Sequence, residues 1–306
     1  MERSMKKILN NGPLLIVVAA SLWALDGIIR RSLYVLPPVV IVFFEHLVGA
    51  LILLPFFFKD LFISKSKLGR KEFLAIVFVS LLSGLLGTLW FTTALLQTQF
   101  ISFSVVYLLQ KLQPIFAVAA GAILLKEKIT RKYLVYAGLA VVSAYFVTFP
   151  AGRVNFATGT GTLTAALFAV GAAFAWGTST AFSRLALLKS NDRFVTAVRF
   201  ILTTLMAGVA VYVFNSQSVL PTVTLSQLAR FILIAVSTGM VAILIYYHGL
   251  RKTEVKVSTI LELVYPLLAV VIDIVVYKSF LTPTQIIAAI ALLFYIFKIS
   301  RLNAKK

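Results

Sequence analysis

The sequence predicts an all-α integral membrane protein of ten transmembrane helices, arranged as two inverted five-helix repeats. Three observations carry that expectation. Of the 306 residues 60% are hydrophobic and only 13% are charged, too few charges to clothe a soluble domain of this size. Mean hydropathy is +0.99, and the apolar residues arrive in blocks of about 20, the length a helix needs to cross a hydrocarbon core. Finally, landmark residues recur at a near-constant offset between the two halves of the chain.

Apolar runs bounded by breakers place the spans near 12–33, 37–58, 72–97, 101–124, 131–149, 161–187, 193–214, 228–250, 255–277 and 283–302. The first follows a basic start, Met1 to Lys7, as a signal peptide would. It then runs on through Trp23, Asp26 and Gly27 to Arg31 with no small-residue cleavage site, so it reads as a retained span. Pro37-Pro38, Pro150, Pro221 and Pro283 sit at starts or connections, where a missing N–H costs little. Pro114 and Pro266 instead fall inside the fourth and ninth spans. There they should kink the helix and free the carbonyls of Gln110 and Glu262, which is tolerable beside a water-filled cavity. The connections are too short to fold as soluble domains, leaving one membrane domain.

Basic residues set the orientation. With the N-terminus in the cytoplasm, 22 Lys and Arg fall on the cytoplasmic side, 5 on the other, and Lys111 and Arg199 within spans. This asymmetry places both termini in the cytoplasm, in a multi-pass protein of the cell membrane. The net charge of +19 follows from the same loops, so no nucleic-acid partner is expected. Cysteine is absent, which removes disulfides, thiolate nucleophiles and Cys-ligated metals. No catalytic triad, phosphate-binding glycine loop or metal-ligand spacing is present. The sequence therefore points away from an enzyme, and no cofactor or metal is expected. No nucleotide-binding domain fits in the chain, so transport would draw on a solute or ion gradient.

The internal repeat is read from pairs. Trp23 and Trp176, Arg31 and Arg184, and His46 and Arg199 are each 153 residues apart. Gly87 and Gly239, Pro114 and Pro266, and Lys126–Thr130 and Lys278–Thr282 are each separated by 152. Halves of 1–150 and 151–306 with five spans each must be inverted relative to one another, and inverted repeats are typical of secondary transporters.

At these residues the chain resembles the drug/metabolite transporter superfamily, in the branch with two EamA domains. The Trp23–Gly27 pattern, the Gln113-Pro114 break, and Leu124-Leu125-Lys126-Glu127-Lys128-Ile129-Thr130 followed by Gly138 carry the resemblance, which spans about 12–302. Ser279 stands where the family pattern usually has Glu, and His46 where it often has Arg. The resemblance implies a ten-helix carrier of small metabolites working by alternating access.

Ionisable residues within spans are costly, about 2.5–3.5 kcal/mol each, and mark candidate sites. At roughly 1.5 Å per residue, Asp26 and Trp90 lie about 10 Å below the outer surface, Glu45 about 12 Å and Lys111 about 15 Å. Four helices thus converge on one layer. Trp23, Asp26, Gly27 and Arg30 share one helical face, as do Tyr107, Gln110, Lys111 and Pro114. The candidate substrate-binding residues are Trp23, Asp26, Glu45, His46, Trp90, Tyr107, Gln110, Lys111, Trp176, Arg199, Tyr247 and Glu262. Each has a plainer reading. Lys111 can pair structurally with Glu45 or Asp26, Asp26 with Arg30 at i, i+4, Arg199 can snorkel to the surface, and the aromatics can be packing. Asp273 and His248 read as boundary residues.

Two roles suit the acidic layer: Glu45 or Asp26 carrying a coupling proton, or an acid with aromatic neighbours holding an amine. The expected function is a secondary transporter of a small metabolite, with amino acids or other amine-bearing solutes favoured, driven by protons or exchange. Channel-like or lipid-translocating activity is the alternative, separable by non-saturating flux or by lipid exchange between leaflets. The expected partners are a small-molecule substrate and the bilayer, with homodimerisation left open.

Overall fold

The computed structural model of the protein describes residues 10–65, 69–97, 105–154, 156, 162–277 and 281–303, and among these there is no strand. Helix α1 (Gly12–Arg30) runs into a short 3-10 turn, and α2 spans Pro38–Lys65. The third membrane segment comprises α3 (Arg70–Val79), a π-helical stretch (Ser80–Gly87) and α4 (Thr88–Gln97). The fourth is α5 (Val105–Gln110) and α6 (Gln113–Leu125), followed by α7 (Arg131–Thr148). Helices α8 (Thr162–Leu187) and α9 (Asp192–Val213) come next, then α10 (Leu225–Val236) and α11 (Met240–Leu250). The ninth segment is α12 (Val255–Leu261) and α13 (Val264–Tyr277), and α14 is Pro283–Asn303.

Among the described residues eight helical segments are long and apolar enough to cross a membrane, against the ten expected. The other two are there as helices but fall short of that measure. Helix α7 has 18 residues, diluted by Arg131, Lys132 and three tyrosines, and residues 255–277 form α12 and α13. Leu51, Ile123, Leu167, Val209 and Ile287 are exposed apolar side chains on the outside of the bundle, as a lipid-facing surface requires.

Pro55 lies inside the continuous α2, whereas Pro114 and Pro266 each mark an interruption. At the first, the N–H groups of Lys111 and Leu112 bond back to the carbonyls of Leu108 and Leu109, at 3.1 and 3.0 Å. At the second, the carbonyl of Glu262 is not freed as expected. It accepts the N–H of Tyr265 at 3.0 Å, because a tightened i+3 turn recovers a bond that the proline ring denies to the i+4 partner. Two further interruptions were not expected: the π-helical stretch and the break at Ser237–Gly239, where the N–H of Gly239 bonds to the carbonyl of Ile234 at 2.7 Å.

The most extensive helix pairings are α2 with α9, α7 with α14, α6 with α8 and α1 with α11. Each joins a helix before residue 150 to one after 160. The α1–α11 approach depends on two glycines. A Cβ on Gly12 would lie 2.9 Å from the carbonyl oxygen of Gly249, and one on Gly249 would lie 2.8 Å from that of Gly12.

Candidate functional site

The polar residues inside the bundle fall into four groups. In the first, α1 presents Asp26 and Arg30 one turn apart and α2 adds Glu45. The Arg30 Nε donates to Asp26 Oδ2 at 2.6 Å, and its two terminal nitrogens donate to both Glu45 oxygens at 2.7 and 2.9 Å. Thr238, in the α10–α11 break, donates its hydroxyl to Asp26 Oδ1 at 2.6 Å. One buried guanidinium therefore holds the two acids expected to receive a proton or an amine. Bidentate geometry makes this a strong pair, and its desolvation makes it a costly one to break.

The second group centres on Arg199 of α9, which is buried at mid-helix rather than snorkelling. It donates to the Tyr247 hydroxyl at 2.7 Å and to Ser83 Oγ in the π-helical stretch at 2.8 Å. Ser183 of α8 lies 3.1 Å from the same hydroxyl. Trp176 donates its indole N–H to the Ser83 carbonyl at 3.3 Å. Its ring lies 5.1 Å from Phe91, which is in turn 6.3 Å from Tyr107. His46 packs on Phe200 with ring centroids 5.0 Å apart, its Nδ1 2.9 Å from the carbonyl of Val42. Trp90 lies across Gly171, where an added Cβ would meet its ring at 2.9 Å. That contact reads as packing.

The third group occupies the two proline breaks. Glu262 accepts the Tyr246 hydroxyl at 2.6 Å and the Gln113 side-chain amide at 3.1 Å, with Ser258 Oγ at 3.4 Å. Trp23 of α1 stacks obliquely on Tyr246, ring centroids 5.1 Å apart. Since Tyr246 and Tyr247 are consecutive, with centroids 6.1 Å apart, the second and third groups touch. Beside the first break, Lys111 is 8% exposed and makes no ion pair with Glu45 or Asp26, which Arg30 already occupies. The neighbouring Gln110 Oε1 is buried without a hydrogen-bond partner, as is Arg199 Nε. Orphaned buried polar atoms are rare in folded proteins. Two such atoms on interior polar side chains suit a ligand that completes them.

The fourth group lies at the far end of α8 and α12. Glu127, in the turn after α6, accepts Arg184 at 2.5 Å and the N–H groups of Val255 and Lys256 at 2.7 and 3.0 Å. The Lys256 ammonium pairs with Glu254 at 2.9 Å and donates to the Lys128 carbonyl, while Tyr133 donates to the Lys256 carbonyl at 2.6 Å. His248, read as a boundary residue, lies 2.9 Å from Asp192.

The structure thus draws the expected residues apart. Asp26 and Glu45 belong to an ion triad. Trp23 and Glu262 meet at one break. Arg199, Tyr247, Trp176 and Tyr107 line a polar-aromatic chain linked to it. Sequence reasoning missed Gln113, Tyr246, Ser83 and Thr238 as partners, and it read Glu127 only as a family signature. Gln113 had a signal in its place beside Pro114, whereas Ser83 had none, because a serine in an apolar run looks like any other small residue. The side chain of Asp273 and residues Lys278, Ser279 and Phe280 lie outside the described residues.

Comparison with known proteins gives concordant matches. The EamA-like transporter family pattern matches twice, over residues 10–149 and 163–301. The riboflavin transporter ImpX of Fusobacterium nucleatum subsp. nucleatum is 36% identical over 293 residues, covering 95% of this chain and 98% of that protein. A solved crystal structure superposes with a TM-score of 0.75 at 16% identity, over 95% of this chain and 96% of its own, which shows a shared fold.

Proposed function

The chain belongs to the EamA-like transporter family, and from that premise we propose that it carries riboflavin, or a related flavin, by alternating access. It is a multi-pass membrane transporter of small metabolites and not an enzyme. The observation that carries the finer reading is the 36% identity to a riboflavin transporter across 95% of the chain. The site is compatible with it. A flavin is a flat, uncharged heteroaromatic ring with a polyhydroxyl chain. Such a ring stacks on aromatic side chains, here the Trp23–Tyr246 and Phe91–Trp176 pairs. Its carbonyls, imide and hydroxyls would partner Lys111, Gln110 and Arg199, the last two of which hold orphaned atoms. The amine-bearing substrates favoured by the sequence lose their main support, since Asp26 and Glu45 are both already engaged by Arg30.

In this reading residues 1–150 and 151–306 are the two inverted halves, ten segments cross the cell membrane, and both termini are cytoplasmic. The test is uptake of labelled riboflavin into proteoliposomes preloaded with unlabelled riboflavin. Saturable counterflow, competed by excess flavin and not by an amino-acid pool, supports the proposal. The absence of counterflow, or competition by amines instead, overturns it.

A further inference from the structure

We infer that Glu262 is a proton-binding site through which substrate flux is coupled to the proton gradient, one proton per transport cycle. This rests on the carrier reading above but needs no particular substrate.

The repeat isolates the residue. Glu262 stands four residues before Pro266, and Gln110 four residues before Pro114. The same interruption is thus built twice, and only the second copy bears an acid. That acid is provided with neutral donors only: the Tyr246 hydroxyl at 2.6 Å, the Gln113 amide at 3.1 Å and Ser258 Oγ at 3.4 Å.

The charged and titratable groups on the surrounding elements are engaged elsewhere. On α1, Arg30 is held by Asp26 and Glu45. On α8, Arg184 is held by Glu127. On α9, Arg199 binds Tyr247 of α11 and Ser83. On α12, Lys256 is held by Glu254 and the Lys128 carbonyl. On α7, Tyr133 donates to the Lys256 carbonyl, and Tyr136 lies against Tyr295 of α14, centroids 6.2 Å apart. Among the described residues Lys111, beside the facing break, makes no ion pair with Glu262, and on the segment of Glu262 itself Tyr265 follows three residues on. Among the described residues Asp26 and Glu45 share the Arg30 guanidinium, Glu127 holds that of Arg184, and Glu262 is paired with no cation.

A charge inside the membrane without a counter-ion is costly, and here it is balanced only when something positive arrives. The site also accepts both states. As a carboxylate, Glu262 takes the Tyr246 and Gln113 donors. As an acid, its new O–H bond can donate to the Gln113 carbonyl once that amide turns over, while the Tyr246 hydroxyl keeps the other oxygen. Only the O–H bond forms on loading and breaks on release. The residue is partly rather than fully buried, and it lies at the Trp23–Tyr246 aromatic pair, so proton and substrate report to the same place.

The experiment compares wild type, Glu262→Gln and Glu262→Asp in proteoliposomes with the membrane potential clamped by potassium and valinomycin. Wild type should show riboflavin counterflow without a gradient. Under an imposed difference of one pH unit it should reach a steady-state concentration ratio of up to about tenfold. The Gln variant should lose the response to the pH difference, and the Asp variant should regain it. Counterflow in wild type with no effect of the pH difference overturns the inference, as does a Gln variant that keeps the full response. A second measurement covers a Gln variant that fails to fold, or a substrate that is not a flavin. Purified wild type is treated with dicyclohexylcarbodiimide, which modifies protonated carboxyl groups in apolar surroundings, and the adduct is mapped by mass spectrometry. Modification at Glu262, decreasing as the pH is raised, supports the site. No modification there overturns it. Failed riboflavin counterflow with Glu262 still modified refutes the flavin reading alone.

Discussion

Glu127 ties the turn after α6 to α8 and to the start of α12, and breaking that tie should open one end of the bundle. In the structure its carboxylate accepts the partly buried Arg184 guanidinium at 2.5 Å and two backbone N–H groups at 2.7 and 3.0 Å. Glu127→Gln keeps one acceptor oxygen and loses the charge-assisted bond to Arg184, for a net cost of about 2 kcal/mol. If these contacts exist only when this end is closed, the closed-to-open ratio falls about 30-fold. Glu127→Ala strands the guanidinium and both N–H groups, for about 3–5 kcal/mol and at least two orders of magnitude. The chain has no cysteine, so Thr259→Cys on α12, where the native residue is 2% exposed, introduces a sole thiol. Its labelling rate by a membrane-impermeant maleimide should rise in the order wild-type background, Gln, Ala. Unchanged labelling alongside lowered thermal stability would refute the reasoning, because the tie would then hold in every state and serve stability alone.

Three further outcomes follow from particular contacts. Arg30→Met leaves Asp26 and Glu45 buried without a cation and should cost about 3–5 kcal/mol. Adding Glu45→Gln should recover part of that loss, read as non-additive shifts in detergent melting temperature. Gly87→Ala places a Cβ 2.6 Å from the Trp176 ring and should cost about 1–3 kcal/mol by overpacking, measured the same way. Lys126 ends α6 in a left-handed conformation, φ 54°. Lys126→Gly should therefore raise stability by about 0.5–1 kcal/mol, with counterflow unaltered.

Much of the architecture was legible because the membrane imposes simple rules on a chain. Each run that crosses lipid must satisfy its own backbone and present apolar side chains, so length and hydropathy mark it directly. Pro114 and Pro266 announced the two interruptions for the same local reason, a missing N–H. The π-helical stretch at Ser80–Gly87 and the Ser237–Gly239 break carried no proline. They were marked only by the Gly87–Gly239 repeat, which says that two places are alike without saying what happens there.

The partners of the buried charges were decided by tertiary packing. Asp26, Glu45 and Lys111 share a depth, and depth suggested that lysine and carboxylate would meet. Arg30 reached both acids first, because its side chain lies one turn from Asp26 and faces Glu45 across the α1–α2 contact. Glu262 became distinctive only when its neighbours proved to be Tyr246, Gln113 and Ser258. The amino-acid sequence by itself determined that this is a polytopic helical membrane protein, that its helices are interrupted before Pro114 and Pro266, and which side chains are too costly to be idle. Which charges are compensated and which stand alone was left to the tertiary structure. The charged side chains find hydrogen-bond partners about 3 Å away on residues more than a hundred positions distant, and helical periodicity does not encode the rotation of one helix against another.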